Sequence, residues 1–418
     1  MEFKRDLYLQ KLIYADGNGM IKIITGIRRC GKSYLLFTIF RNYLLSQGVQ
    51  PNHIIGLALD DMRNKRLLNP DRLLEYIDKH IVDDGQKTYI ILDEVQLVND
   101  FVGVLLSLGH MPNVEAYVSG SNSKFLSKDV VTEFRGRGWE IRVRPLSFAE
   151  YFEAVGGEKR DALEQYYIYG GLPAVVNLPS PEAKQDYLRD IYRTIYLKDI
   201  IERNHLQNEE GLEQVFQVLA SAMGSAVNPA KIANTFKSVT DIKISTHTIA
   251  KYIELLKDAF IISEAERYDI KGRKYIGADC KYYYEDPGIR NAILGFRQIE
   301  FSHMMENVLY NELCARGYIV DVGLVKVWEK NADGEIEYKK LEVDYVINRG
   351  SQRIYIQSAY MMPDSDKMQQ EQRPLLKIND SFRKVIISGE YGGKFYNNEG
   401  VLRIGVFDFL LDRKCLEE

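Results

Sequence analysis

Cysteine is scarce in this sequence, and long apolar runs are missing from it. The four cysteines among 418 residues form no CxxC pair, which excludes a disulfide framework and argues against a zinc site. No apolar run approaches the roughly 18 residues of a membrane-spanning helix, so we expect no membrane partner. The opening residues MEFKRDLYLQKL carry charges and no apolar core, unlike a signal peptide. We therefore expect a cytoplasmic protein.

Excess charge of one sign is also missing. The 55 Lys and Arg residues against 59 Asp and Glu residues give a formal net charge of −4. No chain-wide positive field attracts DNA, so any nucleic-acid site has to be a local patch. Hydrophobic residues make up 45% of the chain, which excludes general disorder. At roughly 150 residues a domain, the length predicts about three domains.

The first part of the chain alternates short apolar runs with helical patterns. Such alternation predicts an α/β fold with a largely parallel sheet that is covered on both faces. The predicted strands are Met20–Thr25, His53–Leu59, Thr88–Leu92, Val114–Ser119 and Glu140–Val143, with helices at Lys32–Leu45 and Leu67–His80. The stretch 148–205 is mostly helical in pattern. Further predictions are helices at 209–223, 229–236, 246–258 and Phe301–Arg316, and strands at 260–268 and 273–284 and near 318–328, 341–347, 353–357, 384–388 and 402–407.

The segment from Gly26 to Ser33 fits the pattern GxxxxGK[ST] between a predicted strand and a predicted helix, the context of a phosphate-binding loop. Its glycines let backbone N–H groups turn towards a phosphate. Lys32 can reach the β- and γ-phosphates, and the Ser33 hydroxyl can ligate Mg²⁺. We predict ATP or ADP as the ligand with Mg²⁺. The predicted contacts are Gly26, Arg28, Arg29, Cys30, Gly31, Lys32, Ser33 and Tyr34, although Arg28 and Arg29 could instead meet a partner carboxylate.

Acidic and polar residues follow two further predicted strands. Asp93 ends an apolar strand and can hold Mg²⁺ together with Ser33. The adjacent Glu94 can orient or deprotonate an attacking water, which predicts an ATP hydrolase. Asn122, just after the fourth strand, can contact the γ-phosphate or that water. Arg137 can stabilise the transferred phosphate in cis or from a neighbouring subunit; the alternative is a solvated basic face.

These motifs together resemble a large prokaryotic family of AAA-type P-loop ATPases. They are Gly26–Ser33, Asp93-Glu94-Val-Gln96, Ser119–Asn122, Arg144-Pro-Leu-Ser-Phe-Ala-Glu-Tyr151 and Tyr169-Gly-Gly-Leu-Pro173. The resemblance implies a strand between the phosphate-loop strand and the Asp-Glu strand, a position that His53–Leu59 fills. It also places Gly170–Pro173 in a helical lid over the nucleotide. Downstream, Asn228–Leu256 resembles a winged helix with Phe260–Tyr284 as its wing, and the C-terminal part is similar to the restriction-endonuclease fold.

The predicted domains are therefore an ATPase core (1–147), a lid and linker (148–205), a winged-helix-like domain (206–285) and a restriction-endonuclease-like domain (286–418). Such nucleases carry an acidic residue on one strand and Glu-x-Lys on the next, to hold a metal and to assist the attacking water. Asp344 meets the first requirement, but the second position reads Gln357-Ser358-Ala359. Glu312 or Glu342 could compensate for the carboxylate, but the lysine has no obvious substitute. We expect an inactive nuclease domain.

The sequence leaves three functions open for the C-terminal modules. The C-terminal modules could bind DNA, bind another protein or a second copy of the chain, or form an ATP-controlled nuclease. Between Asn228 and Lys281 the sequence has ten Lys or Arg and seven Asp or Glu residues. This small positive excess provides only weak electrostatic attraction for duplex DNA.

Overall fold

Two compact units make up the structure, which is a computed structural model. It describes residues 2–120, 136–239, 244–277, 279–297, 299–330, 335–361, 365–390 and 392–417. The N-terminal unit comprises Met1–Leu146 with Leu172–Ala174 and Asp258–Phe260, and the C-terminal unit comprises Ser147–Gly171, Val175–Lys257 and Ile261–Glu418. No helix of the described chain is both long enough and apolar enough to span a bilayer.

A five-stranded parallel sheet forms the centre of the N-terminal unit. Its strands are β1 (Ile21–Thr25), β2 (Ile54–Ala58), β3 (Thr88–Asp93), β4 (Val114–Ser119) and β5 (Gly138–Arg142), in the order β2-β3-β4-β1-β5. All residues of β1 and β3 are buried, as expected for parallel strands that are covered on both faces. The predicted α/β fold with a parallel sheet is therefore confirmed.

The order of the strands corrects one expectation. The strand between the phosphate-loop strand β1 and the Asp-Glu strand β3 is β4, whereas β2 lies at the edge beside β3. Assigning His53–Leu59 to the middle position was wrong because neighbours in sequence need not be neighbours in the sheet. The burial of the strands explains the order: Gly56 of β2 is exposed, while β4 is buried from Glu115 to Ser119.

Helices cover this sheet and supply its apolar core. They are Asp6–Ala15, Lys32–Tyr34 continuing as a π-helical stretch Leu35–Phe40 and an α-helix Arg41–Ser46, Pro70–His80 and Phe101–Leu108. Short 3₁₀ turns occur at Pro51–His53, Met62–Leu68 and Val95–Leu97. Leu73 and Ile77 from one helix and Leu105 from another pack in a single buried cluster with Ile23 and Ile90 of the sheet. This packing fixes the carboxyl ends of the strands, where the predicted phosphate site lies.

The helices after Leu146 match most of the predicted stretches, whereas those at Pro287–Ile293, Ser365–Leu376 and Val406–Leu411 were not predicted. They are Phe148–Val155, Lys159–Tyr169, Pro173–Val176, Pro181–Asp190, a π-helical stretch Ile191–Leu197, Lys198–Asn204, Glu209–Ser221, Pro229–Val239, Thr246–Asp258, Pro287–Ile293, Phe301–Ala315, Ser365–Leu376 and Val406–Leu411. The last of these corrects the strand predicted at 402–407, because the strand ends at Gly405 and a helix starts at Val406.

The strands of the C-terminal unit are β6 (Ile262–Ala265), β7 (Arg267–Asp269), β8 (Lys274–Tyr275), β9 (Lys281–Tyr284), β10 (Ile319–Lys330), β11 (Ile336–Arg349), β12 (Gln352–Ala359), β13 (Arg383–Ser388), β14 (Lys394–Tyr396) and β15 (Leu402–Gly405). Eight of them form a mixed sheet in the order β14-β15-β13-β12-β11-β10-β7-β8. The other two, β6 and β9, pair antiparallel, and an isolated bridge joins Val227 to Cys280.

This topology corrects the predicted wing at Phe260–Tyr284. Only its outer strands, β6 and β9, pair with each other. Its inner strands, β7 and β8, join the large sheet, where β7 pairs parallel with β10. The sequence pattern could not reveal this, because the choice of partner strand depends on residues some fifty positions further along the chain.

Candidate functional site

The phosphate-binding loop leaves strand β1 at Gly26 and ends where a helix begins at Lys32. Gly26 and Gly31 have φ angles of 137° and 101°, a region that side chains with a Cβ rarely adopt. A Cβ at Gly26 would lie 2.0 Å from the carbonyl oxygen of Val143. The backbone of the loop thus needs glycine at this position for both its conformation and its space.

Lys32 is buried, at 5% exposure, and its ammonium is bound by the loop itself. Its Nζ donates hydrogen bonds to the carbonyl oxygens of Gly26 at 2.8 Å and Ile27 at 3.2 Å. The donor is charged but both acceptors are neutral, so these bonds lack the attraction of opposite charges that an ion pair has. A phosphate in the loop would offer the same ammonium a charged acceptor in exchange.

Ser33, Asp93 and Ser119 meet at the carboxyl edge of the sheet. The Ser33 hydroxyl donates to Asp93 Oδ2 at 2.5 Å, and the Ser119 hydroxyl donates to the other oxygen of the same carboxylate. Hydroxyl and carboxylate oxygens are the ligands that Mg²⁺ prefers. The residues therefore fit a magnesium ion held with nucleotide phosphates. Ser119 was not among the predicted site residues, although its place at the end of the neighbouring strand is a signal that could have found it.

Glu94 follows Asp93 in a left-handed conformation, with φ 52°, and is half-buried. Its backbone N–H donates to Ser119 Oγ at 3.4 Å, and its carboxylate accepts a hydrogen bond from the Gln96 side-chain amide. The turn at Glu94 and the contact with Gln96 set the direction of the carboxylate. Gln96 is a second residue that the predicted site lacked.

The remaining predicted contacts of the loop differ in exposure. Arg28 is half-buried, Arg29 is exposed with φ 68°, and Tyr34 is exposed. Cys30 is fully buried, and its thiol donates to the Val143 carbonyl oxygen at 3.4 Å. Its side chain therefore faces the core, and its backbone N–H donates to the Ile27 carbonyl oxygen at 3.4 Å. The nucleotide-binding roles of these four residues stay predictions.

Asn122 and Arg137 are the two remaining predicted catalytic residues. Asn122 lies outside the described residues. Arg137 precedes β5, and its carbonyl oxygen accepts a hydrogen bond from Ile21 N–H at 2.8 Å, at the amino end of β1. The phosphate loop leaves the other end of that strand, four residue steps or about 13 Å away. The expected cis role of Arg137 was therefore wrong, and its role from a neighbouring subunit stays a prediction.

The predicted nuclease site lies in the C-terminal unit, inside β11 at Asp344 and near the end of β12 at Gln357–Ala359. Asp344 Oδ2 accepts a hydrogen bond from the Ser358 backbone N–H at 2.8 Å, so the two motif positions are adjacent as the resemblance implies. Gln357 is buried and donates to Glu371 at 3.4 Å. Glu312 pairs instead with Arg316 at 2.7 Å. Glu312 therefore does not replace the missing carboxylate.

An unpredicted lysine lies among the carboxylates of this site. Lys281 of β9 is 3% exposed, and its Nζ lies 2.9 Å from Glu306 Oε1, 2.7 Å from Glu342 Oε1 and 3.9 Å from Asp344 Oδ1. We call these four residues the Lys281 cluster. No local pattern marks Lys281, because it lies in the segment that resembles a wing and reaches the carboxylates only through the tertiary fold.

Burial and charge shift the pKa values of this cluster in a definite direction. Burial raises the pKa of the Asp344 carboxyl to about 8, and repulsion from Glu306 adds to the shift. Burial opposes the charged form of Lys281, but attraction by Glu306, Asp344 and Glu342 outweighs it and raises the pKa of the ammonium. Among the described residues, no group of three or more His, Cys, Asp or Glu side chains is arranged to hold a metal ion. The cluster is therefore not a ready metal site.

Comparison with known protein families divides the chain at about the same place as the structure. A family described as an AAA domain matches residues 18–152. A family described as a domain of unknown function matches residues 160–300. The first match spans the parallel sheet and the phosphate loop, so the N-terminal unit contains an AAA-type P-loop domain.

Two relatives match almost the whole chain. An uncharacterized protein of Haemophilus influenzae is 32% identical over 412 residues, covering 97% of this chain and 98% of its own length. An uncharacterized protein of Methanocaldococcus jannaschii is 26% identical over 409 residues, covering 93% of this chain and 85% of its own length. The sequence similarity thus extends over nearly the full length of this chain.

Solved structures resemble this chain only distantly. The Aeropyrum pernix ORC1 protein, in a complex with DNA, has 13% identity and a TM-score of 0.29, with 70% of this chain and 92% of that chain covered. CDC6P from Pyrobaculum aerophilum has 11% identity and a TM-score of 0.30, with 73% and 94% covered. At such scores neither likeness carries a functional argument.

Proposed function

We propose, from the premise that this chain belongs to one family with the uncharacterized Haemophilus influenzae protein and carries an AAA-type P-loop domain, that it binds ATP with Mg²⁺ and hydrolyses it. The observation that supports this most directly is the 2.5 Å contact between the Ser33 hydroxyl and Asp93 at the carboxyl edge of the sheet. Two oxygen ligands, one from the helix that begins at Lys32 and one from the end of β3, meet there beside a loop shaped for phosphate.

In this proposal, some of the residues bind the nucleotide and others act in its hydrolysis. Lys32 leaves its carbonyl acceptors and binds the phosphates, while Ser33 and Asp93 hold Mg²⁺, which neutralises phosphate charge. Glu94 orients and deprotonates the attacking water, with Gln96 keeping its carboxylate in place. The backbone N–H groups from Gly26 to Gly31 stabilise charge on the β-phosphate.

The nucleotide state then controls the C-terminal modules, which contact DNA. Supporting this, the segment from 209 to 284 contains three helices, a β-bridge and a strand pair in the order of a winged helix. The third helix, Thr246–Asp258, carries exposed His247 and Lys251. Cationic side chains on such a helix can reach phosphates in duplex DNA.

A protein partner is the second candidate, and a different observation favours it. Strands β10 and β11 extend as a long antiparallel ribbon that exposes large apolar side chains near its end. Trp328 is 70% exposed and Ile336 68%, and the Tyr338 ring lies 5.0 Å from the Trp328 ring. Exposed aromatic clusters of this kind are typical of protein contact sites.

The test is steady-state ATP hydrolysis with and without duplex DNA, at low salt and at several protein concentrations. DNA-dependent stimulation that Lys251→Glu abolishes and Lys198→Glu retains would support the DNA-linked ATPase; both lysines are exposed on helices. ATP hydrolysis that is unchanged by DNA but rises with protein concentration would favour modules that bind protein, including a second copy of this chain. Lack of Mg²⁺-dependent ATP hydrolysis under every condition would contradict the proposed enzyme.

A further inference from the structure

The Lys281 cluster brings three separate elements to one buried point. Lys281 comes from β9, which pairs only with β6 among the described strands. Glu306 lies on the helix Phe301–Ala315, and Glu342 and Asp344 lie on β11 of the large sheet. The Lys281 ammonium therefore connects the β6–β9 strand pair to the large nuclease-like sheet.

Each glutamate of the cluster is already occupied by groups of this chain. Glu306 Oε1 accepts the Lys281 ammonium at 2.9 Å and the Tyr283 hydroxyl at 2.6 Å. Glu342 Oε1 faces Lys281 at 2.7 Å, and its Oε2 accepts from the Arg267 guanidinium at 3.0 Å. These are the distances of charge-assisted hydrogen bonds. On both glutamates, lone pairs that could bind a metal are therefore used by internal donors.

A divalent ion cannot share this space with the ammonium. Ligand oxygens lie about 2.0–2.6 Å from Mg²⁺ or Ca²⁺, and the Lys281 nitrogen already fills the point between the two glutamates. The positive charge of the ammonium would also repel a second cation strongly at such short range in a buried site. The residues present therefore do not fit the metal that a nuclease of this fold requires.

We propose that the Lys281 ammonium stands in for the divalent cation of this nuclease-like site, so that the C-terminal unit is built around an internal cation. The carboxylates are kept as structural partners of the lysine, and they join β9 to the large sheet. It follows that the site supports no metal-dependent DNA cleavage and that its acids stabilise the unit instead.

Lys281→Ala in the full-length, nucleotide-free protein tests this directly. The side chain is removed with its charge, which leaves buried carboxylates uncompensated and space for an ion. We expect the unfolding transition of the C-terminal unit to fall by about 5 °C or more, and millimolar Mn²⁺ to restore at least half of that loss. The wild type should bind no Mn²⁺ at the cluster, as followed by the electron paramagnetic resonance signal of the free ion.

Lys22→Ala is the matched control, because Lys22 is also fully buried but is ion-paired to Glu115 of the neighbouring strand rather than to a carboxylate cluster. Its loss should lower stability without any Mn²⁺-dependent recovery. If Lys281→Ala fails to fold, Lys281→Ala with Glu306→Gln, which removes one uncompensated charge, should refold. Failure of the double variant as well, or wild-type Mn²⁺ binding that Asp344→Asn abolishes, would overturn the proposal.

Discussion

Both units of this protein contain a buried lysine in a predicted site, yet the two lysines are bound differently. Lys32 donates to two neutral carbonyl oxygens of its own loop. Lys281 lies within 3.9 Å of three carboxylates from a helix and a distant strand. Both ammonium groups make charge-assisted hydrogen bonds, but only Lys281 also gains the attraction of opposite charges on its partners. The first lysine is thus free to exchange its partners for a ligand, and the second is fixed.

The comparison teaches that a lysine near acids is not by itself evidence of catalysis. A functional ammonium needs an incoming ligand that is a better acceptor than its present partners. A phosphate meets that condition at Lys32, whose present acceptors are neutral. At Lys281 the carboxylates of the protein already provide the better acceptors.

Lys32→Ala should have the largest effect on activity. We expect ATP hydrolysis to fall at least about 100-fold, because the ammonium contact with the transferred phosphate is lost, with little change in the thermal unfolding of either unit. Lys79→Ala is the control, since Lys79 is an exposed lysine paired only within its own helix. If Lys32→Ala hydrolysed ATP as fast as the control variant, the assignment of Lys32 as the functional lysine would be wrong.

Glu94→Gln should slow hydrolysis by about 100-fold or more while ATP binding is retained. The amide keeps the shape and the contact with Gln96 but cannot accept a proton. Single-turnover hydrolysis and nucleotide titration measure the two steps separately. Equal losses of binding and turnover would instead assign Glu94 to the phosphate cradle.

Gly26→Ala should destabilise the N-terminal unit by about 3 kcal/mol, because the added Cβ meets the Val143 carbonyl oxygen at 2.0 Å as well as an unfavourable φ. Gly48→Ala shares a positive φ of 89° but has no atom within 4 Å of the added Cβ. It should cost only about 1 kcal/mol. Urea unfolding of both variants separates crowding from backbone strain.

The stability of the C-terminal unit should fall as pH rises from about 4 to about 8. Burial, followed by repulsion from Glu306, raises the pKa of Asp344 from 3.8 to about 8, so the folded state holds a proton that the unfolded chain releases. The expected slope is at most about 1.4 kcal/mol per pH unit, and it ends above pH 8. Urea midpoints measured at pH 6 and pH 8 should differ less in Asp344→Asn than in the wild type.

Arg137→Ala should have the smallest effect, less than about twofold on turnover at low protein concentration, because Arg137 lies at the amino end of the sheet. A loss that appears only at concentrations where wild-type activity rises would assign it to a neighbouring subunit. A loss that does not depend on concentration would contradict the geometry.

Local chemistry made one unit easier to predict than the other. The segment from Gly26 to Ser33 and the pair Asp93-Glu94 carry their function in consecutive residues, and the structure gives them the expected strand-end positions. The helix Phe101–Leu108 was missed because its sequence FVGVLLSL is apolar on nearly every side and shows no helical period.

Long-range pairing accounts for the misplaced strands and for the unassigned Lys281. The position of β4 between β1 and β3 and the transfer of β7 to the large sheet depend on contacts between distant segments. Lys281 could not be assigned for the same reason: its neighbours Glu306 and Asp344 come from a helix and a strand that are far away in sequence. Fold class follows from pattern, whereas the partners of one side chain follow only from topology.

The exposed ribbon of β10 and β11 also has an optical consequence. The sequence contains only two tryptophans. Trp139 lies on β5 of the N-terminal unit, and Trp328 lies on β10 of the C-terminal unit. Each unit therefore carries one tryptophan. Replacing either tryptophan by phenylalanine leaves a tryptophan emission signal that reports on a single unit, so unfolding or ligand binding can be followed in each one without an added label.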